Sequence, residues 1–186
     1  EDPRADRQAE FTQVDVEMSF IDQDDIIRVH ENPIADIWKK ILGVEIKTPI
    51  RRMSYKEAVD NYGIDRPDLR FDMKLKDISS IAKGSTFKVF TSTIENGGIV
   101  KGVCAPGGAV YSRSDIEKTL ANFVADYDAK GLAWLKVKLE NGQLTLSSST
   151  AKFFTAAQQG QIIETFNAKD GDLILLIADT EKIANK

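Results

Sequence analysis

The sequence predicts an α+β fold. Two observations carry it: a run of short alternating or wholly apolar segments in the second half, and three stretches of helical period, two of them opened by capping boxes. A third is composition. The chain has 186 residues, 42% apolar and 29% charged, with 25 Lys plus Arg against 29 Asp plus Glu for a net charge of −4. Those values are ordinary for a globular chain and exclude wholesale disorder and a strongly basic nucleic-acid binder. No apolar run reaches the ~20 residues that a membrane-spanning helix needs. A single cysteine, Cys104, excludes an intrachain disulfide and a cysteine-rich zinc site, and a single histidine, His30, argues against a multi-histidine metal centre.

The chain starts at Glu1 with neither an initiator Met nor a signal-peptide pattern, so a piece of something longer is expected. Glu1 to Gln8 is charged, mixed in sign and holds Pro3, which reads as a loop. From Phe11 to Phe20 the residues alternate, predicting a strand. Val14, Val16, Met18 and Phe20 fall on one face, and Phe11, Gln13, Asp15, Glu17 and Ser19 on the other. That second face is either a solvated surface with one stray ring or a ligand floor, with a ring to stack on a flat group and acceptors for a cationic one.

Helical periodicity follows over about 22–42, through Ile26, Val29, Ile34, Ile37, Trp38 and Ile41, with Gly43 as its stop. Pro33 within it predicts two helices or a kink. A second helix opens on the capping box Ser54-Tyr55-Lys56-Glu57 and ends near Gly63. Gly63 to Arg70 is dense in turn formers and charge and marks a candidate boundary. Beyond it, Thr86 to Thr91 and Ile99 to Cys104 read as strands, and Gly107-Gly108 as a tight turn. Ser114-Asp115-Ile116-Glu117 reads as a capping box opening a helix with the stripe Ile116, Leu120, Phe123, Val124 and Tyr127, closed by Gly131. Leu132 to Leu139 alternates, Asn141-Gly142 signals a hairpin, helical turns lie between Thr150 and Phe166, and Asp172 to Ala178 is an apolar buried strand.

Several motifs fail. The glycines Gly97-Gly98, Gly102 and Gly107-Gly108 fit neither a dinucleotide fingerprint nor a phosphate-binding loop. Cys104 has no histidine nearby in sequence and reads as a buried structural thiol. Trp134 with Lys136 and Lys138 on one strand face could serve nucleic acid, but any half-exposed strand shows the same arrangement.

The run Arg4-Ala5-Asp6-Arg7-Gln8-Ala9-Glu10-Phe11-Thr12-Gln13-Val14-Asp15-Val16-Glu17 resembles the second half of motif 2 of the bacterial-type aspartyl-tRNA synthetases, which are class II ligases. Val100-Lys101-Gly102, Ala105-Pro106-Gly107-Gly108-Ala109, Ser112-Arg113 and Ala129-Lys130-Gly131-Leu132-Ala133-Trp134 resemble that family's insertion domain, the GAD domain. Tyr62 to Arg70 is similar to the segment joining the two. The resemblance implies a partial catalytic core over 1–66, and over 67–186 an antiparallel-sheet insertion domain with packed helices and a return segment.

It also implies site roles. Phe11 would stack on the adenine of ATP, with Glu1 and Gln8 as further ATP contacts. Asp15, with Gln13 beside it, would face the aspartate ammonium. Arg4 and Arg7 would touch the tRNA acceptor end. ATP and Mg²⁺ are implied for the whole enzyme and none bound to this piece. So are tRNA and aspartate as partners, a homodimer, a cytoplasmic location and no membrane. Ala9 and Pro3 depart from the family's usual Pro and Leu. The motif 2 arginine would precede Glu1 by two residues, and the motif 3 arginine would lie beyond Lys186. Each lost donor of that kind costs ~10²–10³-fold in rate, so no aminoacylation by this chain alone is expected. A GAD-type module that docks tRNA without catalysis is the alternative expectation.

Overall fold

The computed structural model describes residues 8–186, and those residues form two compact units, one ending at Arg52 and the other running from Met53 to Lys186. The boundary expected after residue 66 lies within the second unit.

In the first unit, α1 spans Gln23–Ile37. Asp22 caps it by accepting from the Asp24 and Asp25 amides, while the Asp25 carboxylate accepts from the Asp22 amide, a reciprocal box. Pro33 sits inside α1 without dividing it, so the first of the two expected outcomes, two separate helices, does not occur. The helix continues into wider, π-type turns over Trp38–Leu42. Gly43 then ends it in the left-handed conformation, as its position predicts.

The expected strand from Phe11 to Phe20 does not form. The stretch is irregular and exposed throughout, with Val14 at 88%. An alternating sequence makes a strand only when a neighbour takes its amides and carbonyls. Among the described residues, the sheet contains no strand from the first unit.

The second unit is built on a five-stranded sheet in the order β1-β2-β5-β3-β4, antiparallel throughout. Its strands are β1 (Lys76–Asp77), β2 (Ile99–Ala105), β3 (Ala133–Glu140), β4 (Gln143–Ser147) and β5 (Leu173–Asp179). β5 is the central strand. It pairs with β2 from Ile99↔Asp179 to Ala105↔Leu173 and with β3 from Ala133↔Leu176 to Lys136↔Leu173. Lying in the middle requires apolar side chains on both faces, which is why it reads as an unbroken apolar run. The β3–β4 hairpin turns on Asn141 and Gly142, both at positive φ, the pair such a turn favours.

One sheet face carries Val100, Leu135, Val137, Leu146, Ile174 and Leu176 and forms the main core with α3 (Ser79–Ala82), α4 (Lys88–Glu95) and α6 (Ala156–Phe166). Phe90 of α4 is buried in it, and Phe87 stacks on Phe153 at 4.8 Å. α4 overturns the strand expected over Thr86 to Thr91. Phe87, Phe90, Thr91 and Ile94 recur at helical spacing and place one stripe on the sheet, which outweighs the β-branched composition. Thr155 and Gln158 cap α6 reciprocally.

The helix with Ile116 begins at Arg113 and is capped two residues earlier than expected. Ser112 Oγ accepts from the Asp115 amide at 3.1 Å, and Asp115 accepts from the Ser112 amide at 2.9 Å. It passes through π-type turns over Asp115–Leu120 into α5 (Ala121–Ala125), and Asp128 at positive φ follows its last turn, ahead of Gly131. Ile116 is fully buried, whereas Phe123 and Tyr127 stay exposed with their rings 5.2 Å apart. α2 (Tyr55–Tyr62) is capped by Ser54 as predicted. Gly63, at positive φ, closes it where a Cβ would collide with the Asn185 carbonyl, just past α7 (Glu181–Ala184).

Candidate functional site

Glu1, Arg4 and Arg7 lie outside the described residues. Gln8, Phe11, Gln13 and Asp15 lie in the irregular stretch that precedes α1, all exposed, Phe11 at 70%. With no strand over 11–20, alternation does not gather the ring, the amide and the carboxylate on one surface. His30, to which the sequence assigns no role, donates from Nδ1 to the Ile26 carbonyl at 2.8 Å, one turn back on α1.

The second unit concentrates its buried polar groups around the sheet ends. At the start of β5, Asp172 ties a loop together. One of its carboxylate oxygens accepts from the Gly107 amide at 2.9 Å, the other from the Lys169 amide at 2.8 Å. The Cys104 thiol lies 3.7 Å from that second oxygen. Burial, helped by the neighbouring Asp172 charge, pushes the thiol pKa up to about 12. Cys104 is half-buried rather than fully buried as the sequence suggests, and a thiol held protonated in this way is a poor nucleophile.

On β2, Lys101 is buried, and its ammonium donates to Asn185 Oδ1 at 2.5 Å. Desolvation lowers its pKa, and Asp60, Asp77 and Glu181 act in the opposite direction. These groups share a small polar cleft with Lys56 and Asn61. Lys56 is already paired to Asp60 at 2.7 Å. The result is a charge-balanced packing contact between α2, β2 and the chain end.

A cleft of about 540 Å³ opens beside α4 and the far end of β5. Phe87, Phe90 and Leu132 line its apolar part; Asp179, Thr180 and Lys130 line its polar part. Asp179 is 4% exposed, and no sequence signal marked it beyond a charged residue ending an apolar run. Among the described residues, no group of three or more His, Cys, Asp or Glu side chains converges to hold a metal ion. No described helix is long and apolar enough to cross a membrane.

The sequence matches the model of the class II tRNA synthetases (D, K and N) over residues 1–181. It is 49% identical over 186 residues to an aspartate–tRNA ligase of Clostridium perfringens and 50% identical over 185 residues to an aspartate–tRNA(Asp/Asn) ligase of Desulfatibacillum aliphaticivorans. In both cases the match covers 100% of this chain and 30% of the relative. An aspartate–tRNA ligase of Bacillus licheniformis is 47% identical over 186 residues, 31% of its length. The chain therefore spans under a third of the curated relatives it matches.

Proposed function

Because the chain belongs to the class II tRNA synthetases of the D, K and N type, we propose that it is the stretch of an aspartate–tRNA ligase running from the second half of motif 2 through a GAD-type insertion domain. The observation that carries this reading is identity of 47–50% along essentially its whole length to proteins of that name. In this reading residues 1–66 belong to the catalytic core, and 67–186 are the insertion and its return.

The whole enzyme would join aspartate to ATP as aspartyl-adenylate, releasing pyrophosphate, and then pass the aspartyl group to the terminal adenosine of tRNA. Phe11 would stack on adenine, with Glu1 and Gln8 as further contacts to ATP. The Asp15 carboxylate, assisted by Gln13, would pair with the substrate ammonium. Arg4 and Arg7 would pair with phosphates at the tRNA acceptor end. Such positioning needs residues 11–20 drawn out as a strand against a neighbour, which the alternation of Phe11, Gln13 and Asp15 suits. A homodimer in the cytoplasm is part of the same proposal. The described residues do not converge on a metal, so no step is assigned to Mg²⁺ within this stretch.

The chain by itself would be inactive. Phe11, Gln13 and Asp15 are exposed and unassembled here, and catalysis of acyl-phosphate formation depends on preorganised charge around the phosphate. Aspartate-dependent pyrophosphate exchange by the 186-residue chain tests this: none above background is expected, and measurable turnover would overturn it. A second reading, a tRNA-docking module, draws on the sheet and core that the second unit holds by itself. Salt-dependent retardation of tRNA by the chain would favour that reading, because phosphate contacts release counterions.

A further inference from the structure

Asp179 closes the central strand with its side chain 3% exposed. Its Oδ1 accepts from the Thr180 amide at 2.7 Å. Its Oδ2 is buried with no hydrogen-bond partner, the one such side-chain atom among the described residues. The nearest cation is Lys130 Nζ at 3.8 Å, beyond hydrogen-bond reach, on a side chain 85% exposed. A buried carboxylate oxygen without a donor is costly, and a fold that retains one leaves that oxygen for a donor from outside.

The same carboxylate lies at the polar end of the 540 Å³ cleft, a size that suits a small molecule. Backbone crowding helps to shape this end. A Cβ on Gly98 would come within 2.8 Å of the Asp179 carbonyl and 2.6 Å of the Thr93 methyl, so a residue without a side chain is required beside the acid.

We propose that this cleft binds a small primary ammonium compound with an apolar or aromatic tail, the ammonium donating to Asp179 Oδ2 and the tail lying toward Phe87 and Leu132. The charge of the acid selects a cation. With Oδ1 already engaged, a single oxygen remains, which suits a compact ammonium better than the two-pronged contact of a guanidinium. Lys130 is the resident competitor: its ammonium partly offsets the acid's charge without bonding to it, and its exposed stem lets it swing aside.

Phenethylammonium chloride, titrated into the 186-residue chain and followed by the amide resonances of Gly131, Asp179 and Thr180, tests the site. Saturable shifts at these three amides are expected, with 2-phenylethanol, of similar shape but neutral, binding about tenfold or more weakly. Asp179→Asn keeps an acceptor for the Thr180 amide but loses the charge, and affinity should fall about tenfold or more. Lys130→Ala removes the competitor and should tighten binding by roughly two- to fivefold. The proposal fails if neither the native chain nor K130A saturates, or if D179N binds as tightly as the native chain. Should D179N not fold, K130A decides alone: unchanged or weaker binding overturns the proposal.

Discussion

Residues 8–52 and residues 53–186 treat their apolar side chains in opposite ways. In the first stretch Glu31 is the only buried residue, its carboxylate accepting from the Ile50 amide at 2.9 Å. Val14, Phe20, Ile37, Trp38 and Ile41 of that unit all stand exposed. In the second, Phe90, Leu135, Val137, Ile174 and Leu176 are shut from water almost completely. The apolar content is similar in kind; what differs is whether a second layer lies against it. A helix stripe or an alternating segment is an offer of burial, and it becomes stability only when another element accepts it.

Four measurements sharpen or break this contrast. The largest effect concerns Cys104. With its pKa raised from 9.0 to about 12, alkylation at pH 8 should be slower than that of an unfolded thiol by roughly a thousandfold. The folded thiol holds its proton more tightly than the unfolded one. Its contribution to stability is therefore complete below pH 9 and is lost as pH rises toward about 12. Alkylation at the rate of a free thiol would mean that the sheet opens readily.

Next, Ile174→Ala on β5 should cost about 2–5 kcal/mol in denaturant unfolding of the second unit, through lost burial and a cavity at the sheet centre. Gly102→Ala follows, at about 1–3 kcal/mol, because a Cβ there would lie 2.1 Å from the Leu175 carbonyl of the paired strand and force backbone apart. Last comes Val14→Ala at a site 88% exposed, where a change within about 0.5 kcal/mol is expected. A loss of 1 kcal/mol or more by the same measurement would show that Val14 is packed in solution and that the contrast between the units is wrong.

The second unit was largely legible because its signals are local and agree with its packing. Asn141-Gly142 sets the hairpin, Ser54 stands at a helix start, and the run from Leu173 to Ile177 announces a strand covered on both faces. Thr86 to Thr91 misleads because its Thr and Val residues also suit a strand, and the spacing of Phe87, Phe90 and Ile94 becomes decisive only with the sheet beneath them. The alternation from Phe11 to Phe20 is real in the sequence, but a strand is a property of two segments and one sequence window contains only one of them. The cleft at Asp179 was illegible for a related reason. Lys130, Gly98 and Phe87 reach it from separate parts of the chain, and no spacing encodes that meeting.

The place of β5 in the sheet has a consequence for biosynthesis. β2 and β3 each hydrogen-bond to β5 along one edge and not to each other. The keystone of the sheet is thus translated after every strand it joins. A nascent polypeptide halted at Gly171 would hold two separate ribbons, β1 with β2 and β3 with β4, each exposing an open seam. Until residue 179 clears the ribosome those seams must be kept from strangers, and the arrival of β5 is the event that locks the sheet.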